Sequence, residues 1–195
     1  MLAYIEWYNL FIDGKLNEVQ SQFFRPRKPE GLYNIDEDPH ETNNLVNDIS
    51  YNETLLDLRS KLNDHLISIN DLSFLPEPHL LENGINDIVG YSEKNKDLIK
   101  KLIEISDLQL YDYNEVSSQI KDALTDNNPW VRYWGLIVCS TFGNQALENK
   151  DKISFIFEND PENLVRMRAA EFLILNNFDI SDSKINSLLK NSNFE

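Results

Sequence analysis

Few residues in this chain stand at spacings from which chemistry could be built. The three histidines, His40, His65 and His79, fall in three separate segments. None has a second His or a Cys at the short spacing a zinc ion needs, so no metal site is expected from them. Asp36-Glu37-Asp38 has the carboxylate density of a calcium loop. It lacks the Gly and the distal Glu that complete one, and a solvated cap ahead of a helix accounts for it. Cys139 sits in the run Gly135-Leu136-Ile137-Val138-Cys139-Ser140-Thr141-Phe142, with no His or Lys placed to activate it. It reads as a core thiol rather than a nucleophile. A single cysteine also excludes an intrachain disulfide and a Cys-based zinc site. No phosphate-binding Gly loop, Gly-x-Ser-x-Gly elbow or Ser/Lys pairing of known spacing is present. Trp130, Tyr133 and Trp134 form the densest aromatic cluster. At helical spacing such a stripe reads as core, with sugar or partner binding as the other use. On its own residues, the chain is expected to carry no catalytic, cofactor-binding or metal site.

The elements that would position these residues belong to an acidic globular chain. It has 195 residues, 18 Lys+Arg against 33 Asp+Glu, and a net charge of −15. Hydrophobic residues at 41% and charged residues at 26% are ordinary for a folded domain. That charge repels polyanions at long range, so neither nucleic acid nor an anionic membrane is expected as the main partner. The Arg25-Pro26-Arg27-Lys28 patch is small and lies beside Glu30. No apolar run reaches the roughly 20 residues a membrane span needs. The segment Met1 to Asp13 lacks a basic start and a small-residue cleavage site and carries Glu6 in its apolar run, so it does not read as a signal peptide.

Residues 1–24 predict an amphipathic helix, a break at Gly14 and a second helical stretch, with Tyr4, Trp7, Tyr8 and Phe11 on one side. Leu32, Tyr33 and Ile35 predict a short strand. Asp38-Pro39-His40-Glu41 predicts a helix start, with Asp as cap and Pro at the first helical position. Ser50-Tyr51-Asn52-Glu53 predicts a capping box for a helix striped by Leu55, Leu58, Leu62, Leu66 and Ile69. Pro76, Pro78, Gly84 and Gly90 then punctuate a linker, expected at 73–92. Beyond it every segment has helical period. Two segments repeat: Asp126-Asn127-Asn128-Pro129-Trp130-Val131-Arg132 and Asp160-Pro161-Glu162-Asn163-Leu164-Val165-Arg166, with the Val-Arg pairs 34 residues apart. That period suits an array of helical hairpins. In each unit an Asp turn caps the second helix, the Val enters the core and the Arg can reach back to the turn. The pairs Gly135-Leu136 and Ala169-Ala170 allow neighbouring helices to approach closely. The pattern resembles a degenerate HEAT-type repeat.

A family resemblance rests on Asp13-Gly14-Lys15-Leu16-Asn17-Glu18 and then Phe24-Arg25-Pro26-Arg27-Lys28-Pro29-Glu30-Gly31-Leu32-Tyr33-Asn34-Ile35-Asp36-Glu37-Asp38-Pro39-His40-Glu41-Thr42-Asn43-Asn44-Leu45. This stretch resembles the C-terminal end of type I sulfatases, where a Pro-Glu-Glu-Leu-Tyr-Asp-Leu run leads to Asp-Pro-x-Glu-x-x-Asn-Leu and a long helix. Gly31 stands for the usual second Glu, and Asn34-Ile35 for the usual Asp-Leu. Trp130-Val131-Arg132-Tyr133-Trp134 resembles a turn typical of the helical extension in some bacterial polysaccharide sulfatases. The resemblance implies a mostly α chain in three parts. Residues 1–72 would be a remnant of the α+β sulfatase C-terminal subdomain, with one short strand region and a helix. Residues 73–92 would be the linker, and 93–195 a HEAT-like repeat region.

Sulfatases hydrolyse sulfate esters with a formylglycine made from Cys or Ser in a Cys/Ser-x-Pro/Ala-x-Arg motif, beside a calcium ion. Cys139 is followed by Ser140-Thr141-Phe142-Gly143 and does not match. Calcium and formylglycine are therefore implied only for a full-length enzyme, and no catalytic residue carries over. The implied partner is an N-terminal sulfatase catalytic domain, with a sulfated glycan as substrate of the whole and a periplasmic or secreted setting. The chain alone is expected to be inactive. The alternative is a free-standing HEAT-like module that binds protein or glycan.

Overall fold

The structure is a computed structural model and describes residues 2–191. The chain forms two compact units, Met1–Arg59 and Ser60–Glu195. It is mostly helical, as the sequence patterns predict.

In the first unit, helix α1 (Leu2–Ile12) stops where Gly14 turns left-handed at φ +67°. The Lys15 N–H then donates back to the Leu10 carbonyl, which closes the last turn. Helix α2 (Glu18–Ser21) opens on a reciprocal cap. The Asn17 side chain accepts the Gln20 N–H and the Gln20 side chain accepts the Asn17 N–H. The following 3-10 turn, Gln22–Phe24, brings Phe23 and Phe24 under the aromatic side of α1. Phe24 lies 4.7 Å from Trp7 and 4.8 Å from Phe11, centroid to centroid. Aromatic contact, rather than an aliphatic core, holds this corner, and α1 has no fully buried residue.

Three local expectations are corrected here. No strand forms at Leu32 to Ile35 or elsewhere among the described residues. Leu32 accepts one backbone bond from Leu45, but its own N–H goes to the Asn44 side chain, so no ladder can grow. Asp38-Pro39 opens no helix either. The Asp38 carboxylate accepts the Asn43 N–H at 2.7 Å and the Thr42 hydroxyl at 3.1 Å, and Glu41 sits at φ +51°. That side chain closes a turn on itself in preference to a helix, the competition expected of Asp. The Asn43 N–H is the chief reason its carboxyl is held below the usual carboxylate range. At the third place Ser50 is not the cap. Asp48 accepts both the N–H and the hydroxyl of Ser50, starting a 3-10 turn, Ile49–Tyr51, that runs into helix α3 (Asn52–Ser68). Arg59 of α3 pairs with Glu30 through two nitrogens, tying the extended segment to the helix.

The second unit is a run of helices joined by turns and short 3-10 segments. After α3 come helices α4 (Glu77–Asn83) and α5 (Ile88–Lys94), which occupy most of 73–92, with α5 running two residues past it. Leu75 just before α4 is buried with Leu102, Ala123, Trp130 and Val131. Helices α6 (Lys96–Ser106), α7 (Tyr113–Thr125), α8 (Pro129–Phe142), α9 (Lys150–Asn159) and α10 (Asn163–Leu175) follow, then α11 (Asp182–Asn191). Helix α8 packs against α6, α7 and α10, and α10 packs against α9 and α8. The starts of α6, α8 and α10 are 33 and 34 residues apart, so three helices, not two, follow the repeat period. The core between them is aliphatic, with Ile120, Leu136, Ile153, Val165 and Phe172 fully buried. Gly135 sits where α8 meets α7: a Cβ there would lie 3.1 Å from the Ala123 Cβ. The small residue is what lets α7 and α8 approach, as the sequence pattern implies.

Candidate functional site

The repeated Asp turns are the most highly built polar feature of the second unit. Asp126 accepts the Asn128 N–H at 2.8 Å, and Asp160, one period later, accepts the Glu162 N–H at 3.0 Å. Asn128 and Glu162 in turn cap α8 and α10 by accepting the N–H groups of Trp130 and Leu164. Arg132 reaches back to the Asp126 and Asn127 carbonyls, at 2.8 and 3.1 Å. It also reaches forward, with Nε and Nη2 paired to the two oxygens of Asp160 at 2.7 and 2.8 Å. Arg166 also reaches backward, but through Nε and to the Phe157 carbonyl, nine residues before it, at 2.8 Å. On the other side Lys101 of α6 pairs with Asp126 at 2.5 Å. Burial pushes the Asp126 carboxyl up, but Lys101, the Asn128 N–H and Arg132 outweigh it and hold it below its ordinary value. Each turn thus receives a cation from the preceding layer. The sequence shows the Val-Arg pairs but not that the arginine also clamps the next turn.

Trp130, Tyr133 and Trp134 serve packing. Trp130 is 5% exposed, and its ring lies 4.6 Å from the His79 imidazole. Trp134 donates its indole N–H to the Phe74 carbonyl at 2.7 Å and packs on the Phe74 ring. The Tyr133 hydroxyl accepts from Arg168 at 2.8 Å, and the Arg168 guanidinium also lies 4.9 Å from the Tyr133 ring centroid. Trp130 is buried, whereas Tyr133 and Trp134 are partly exposed.

The remaining sequence candidates stay apart. His40 is in the Asp38 turn, His65 in α3 and His79 in α4. Among the described residues, no group of three or more His, Cys, Asp or Glu side chains could hold a metal ion. Cys139 is fully buried in α8, and burial pushes its thiol up to about 12. A thiol held protonated inside a helix core, in a sequence without the sulfatase motif, does not fit a formylglycine precursor. No step is assigned to it. No helix is long and apolar enough to cross a membrane among the described residues.

His79 is partly buried in α4. Its Nε2 is 2.7 Å from the Tyr91 hydroxyl, and Asn83 lies 3.2 Å from Nδ1. Burial lowers its pKa from the ordinary 6.5, while Glu162 and Glu82 pull weakly the other way. The fold therefore favours the neutral ring, and the unfolded chain binds the extra proton. Stability contributed here is complete above 6.5 and is lost as pH falls from that value towards the lowered one. Urea unfolding followed between pH 7.5 and 5 is expected to show this fall, and His79→Gln to flatten it. An unchanged slope in the variant would remove His79 from the explanation.

One concavity was missed by the sequence reading. A groove of about 470 Å³ lies between α10 and α11, floored by Leu164, Met167, Ala170, Ile174 and Leu175 and walled by Ile185, Leu188 and Leu189. Its signal was present: α10 is apolar around most of its circumference, more than one buried face requires.

Comparison with known proteins adds one finding to this geometry. The chain is 42% identical over 85 residues to an ulvan-active sulfatase of Formosa agariphila, covering 42% of this chain and 14% of that protein. Part of this chain is sulfatase-related. It spans well under two thirds of the relative's length. No protein-family model matches the chain, and no solved structure does.

Proposed function

We propose that this chain is the C-terminal portion of a formylglycine-dependent sulfatase acting on a sulfated polysaccharide. Its role is to complete the C-terminal subdomain and flank the substrate cleft, with a HEAT-like helical extension behind it. The observation that carries this reading is the 42% identity to a sulfatase named for ulvan. The nucleophile and the calcium ligands belong to the N-terminal catalytic domain, which is the partner of the first unit. In support, Tyr4, Ile5, Tyr8, Ile12, Val19 and Phe23 of that unit are all exposed, more contiguous apolar surface than solvent-facing helices usually present.

The reading is tested by mixing. The Formosa agariphila sulfatase, cut upstream of its matching stretch, is combined with this chain and supplied with calcium and a sulfated polysaccharide. Sulfate release is expected from the mixture and not from the chain alone. Release by the chain alone would overturn the scaffold role, and a mixture no more active than the truncated enzyme would overturn the sulfatase assignment.

A further inference from the structure

We propose that Arg25, Arg27 and Lys28 of the first unit form a binding edge for the sulfate esters of a polysaccharide. The proposal rests on the sulfatase reading above and names the part of the first unit that would touch its substrate. All three side chains are exposed and stand within four residues. The sequence places Glu30 beside them as a counter-charge, but the fold gives Glu30 to Arg59, which pairs with it through two nitrogens. Arg59 and Glu30 are only 27% and 21% exposed, so Glu30 is not free to turn back to the patch. Lys15 holds Asp13, and the Asp38 and Asp48 carboxylates are engaged by N–H and hydroxyl groups of their own turns. Among the described residues no carboxylate pairs with Arg25, Arg27 or Lys28. A chain of net charge −15 thus keeps three uncompensated cations in one place.

The edge is also preset. Arg25 stands before Pro26 with extended backbone, at φ −95° and ψ 155°, and Lys28 stands before Pro29. Each proline fixes its own φ and bars a helix, so less chain entropy remains to be lost on binding. The Arg27 guanidinium lies over the Phe23 ring, 5.6 Å from its centroid, and Phe23 is itself held against Trp7 at 4.9 Å. A guanidinium resting on a ring keeps N–H groups at its edge for an anion. Its fork matches the oxygens of a sulfate group as it matches those of phosphate or carboxylate. Nucleic acid is the less suited polyanion. Duplex DNA carries a charge about every 1.7 Å, more than three cations can answer, and the remainder would face an acidic chain. A glycan with sulfate esters spaced along it presents few charges at once. Phe23 also belongs to the apolar face proposed to meet the catalytic domain, so the patch borders that face, at the rim of the cleft the unit is proposed to flank.

The test uses the full chain and, as probe, fluorescein-labelled kappa-carrageenan oligosaccharides, because the recognised group is the sulfate ester and not one sugar. Saturable binding by fluorescence anisotropy is expected. The same oligosaccharides after chemical desulfation should bind about tenfold or more weakly, the worth of a lost charge-assisted hydrogen bond. A chain carrying Arg25→Gln, Arg27→Gln and Lys28→Gln is expected to lose at least as much. A control chain with Lys94→Gln, Lys96→Gln and Lys100→Gln, all exposed in the second unit, removes the same charge and is expected to bind as the parent does. Circular dichroism of both variants should match the parent chain. In the mixture with the truncated sulfatase, the patch variant is expected to raise KM for the polymer several-fold. Absence of binding, equal binding of the desulfated probe, unchanged binding by the patch variant or an equal loss in the control chain would overturn the proposal. So would tighter binding of duplex DNA at the same patch, or an unchanged KM. Failure of the sulfatase reading looks different: the mixture is then inactive with parent and variant alike, while the titration still reads the patch directly.

Discussion

Replacing Asp160 with alanine is expected to destabilise the helical unit by about 3–5 kcal/mol, the loss typical when one member of a buried ion pair is removed. The side chains of Arg132 and Asp160 are only 11% and 4% exposed, so water cannot take over for the missing partner. The two-nitrogen pairing is lost, and the guanidinium keeps only the Asp126 and Asn127 carbonyls. The Glu162 N–H loses its acceptor as well, which loosens the entry to α10. Asp160→Asn separates these effects. It can still accept the Glu162 N–H but brings no charge, so its loss should fall short of the alanine variant's. The double variant Asp160→Ala, Arg132→Met should recover part of the stability, because the cost lies in the stranded cation rather than in the worth of the pair. Urea denaturation monitored by Trp130 and Trp134 fluorescence measures all three. A loss in Asp160→Ala below about 1 kcal/mol, the range of exposed ion pairs, would show that the clamp is solvated in practice.

The clamp also shows which parts of the fold could be read from sequence. The hairpins announce themselves because their information is local: an Asp turn, a cap and apolar residues at helical spacing lie within a dozen residues at Asp126–Val138 and again at Asp160–Phe172. The connection between hairpins is not local. Arg132 and Asp160 are 28 residues apart, and nothing in either turn alone reveals that one clamps the other. Helix α6 keeps the period but has no Pro or Val-Arg at its start, so the third member of the stack was hidden. The errors fall in 32–53, where short polar side chains decide the backbone. Asp38, Asn44 and Asp48 each take N–H groups that a helix or ladder would have used. In the candidate site, Cys139 and the tryptophans were legible as core from their spacing. The groove was not, because an apolar helix face gives the same pattern whether a neighbour covers it or solvent does.

Helix α10 turns that ambiguity into a measurable contrast. Phe172 is fully buried in the core shared with α8 and α9, while Ile174 lies half exposed on the groove side. Phe172→Ala is expected to cost about 3–5 kcal/mol, the transfer free energy of the ring plus the cavity it leaves between rigid helices. Ile174→Ala is expected to stay within about 0.5 kcal/mol, as for a surface substitution. The two residues are two positions apart in sequence and both large and apolar, so composition predicts similar effects and only the fold separates them. If Ile174→Ala instead cost 2 kcal/mol or more, its side chain would already be covered in solution and the groove would be closed. With a small cost, the aliphatic side chain at Ile174 is not there for stability.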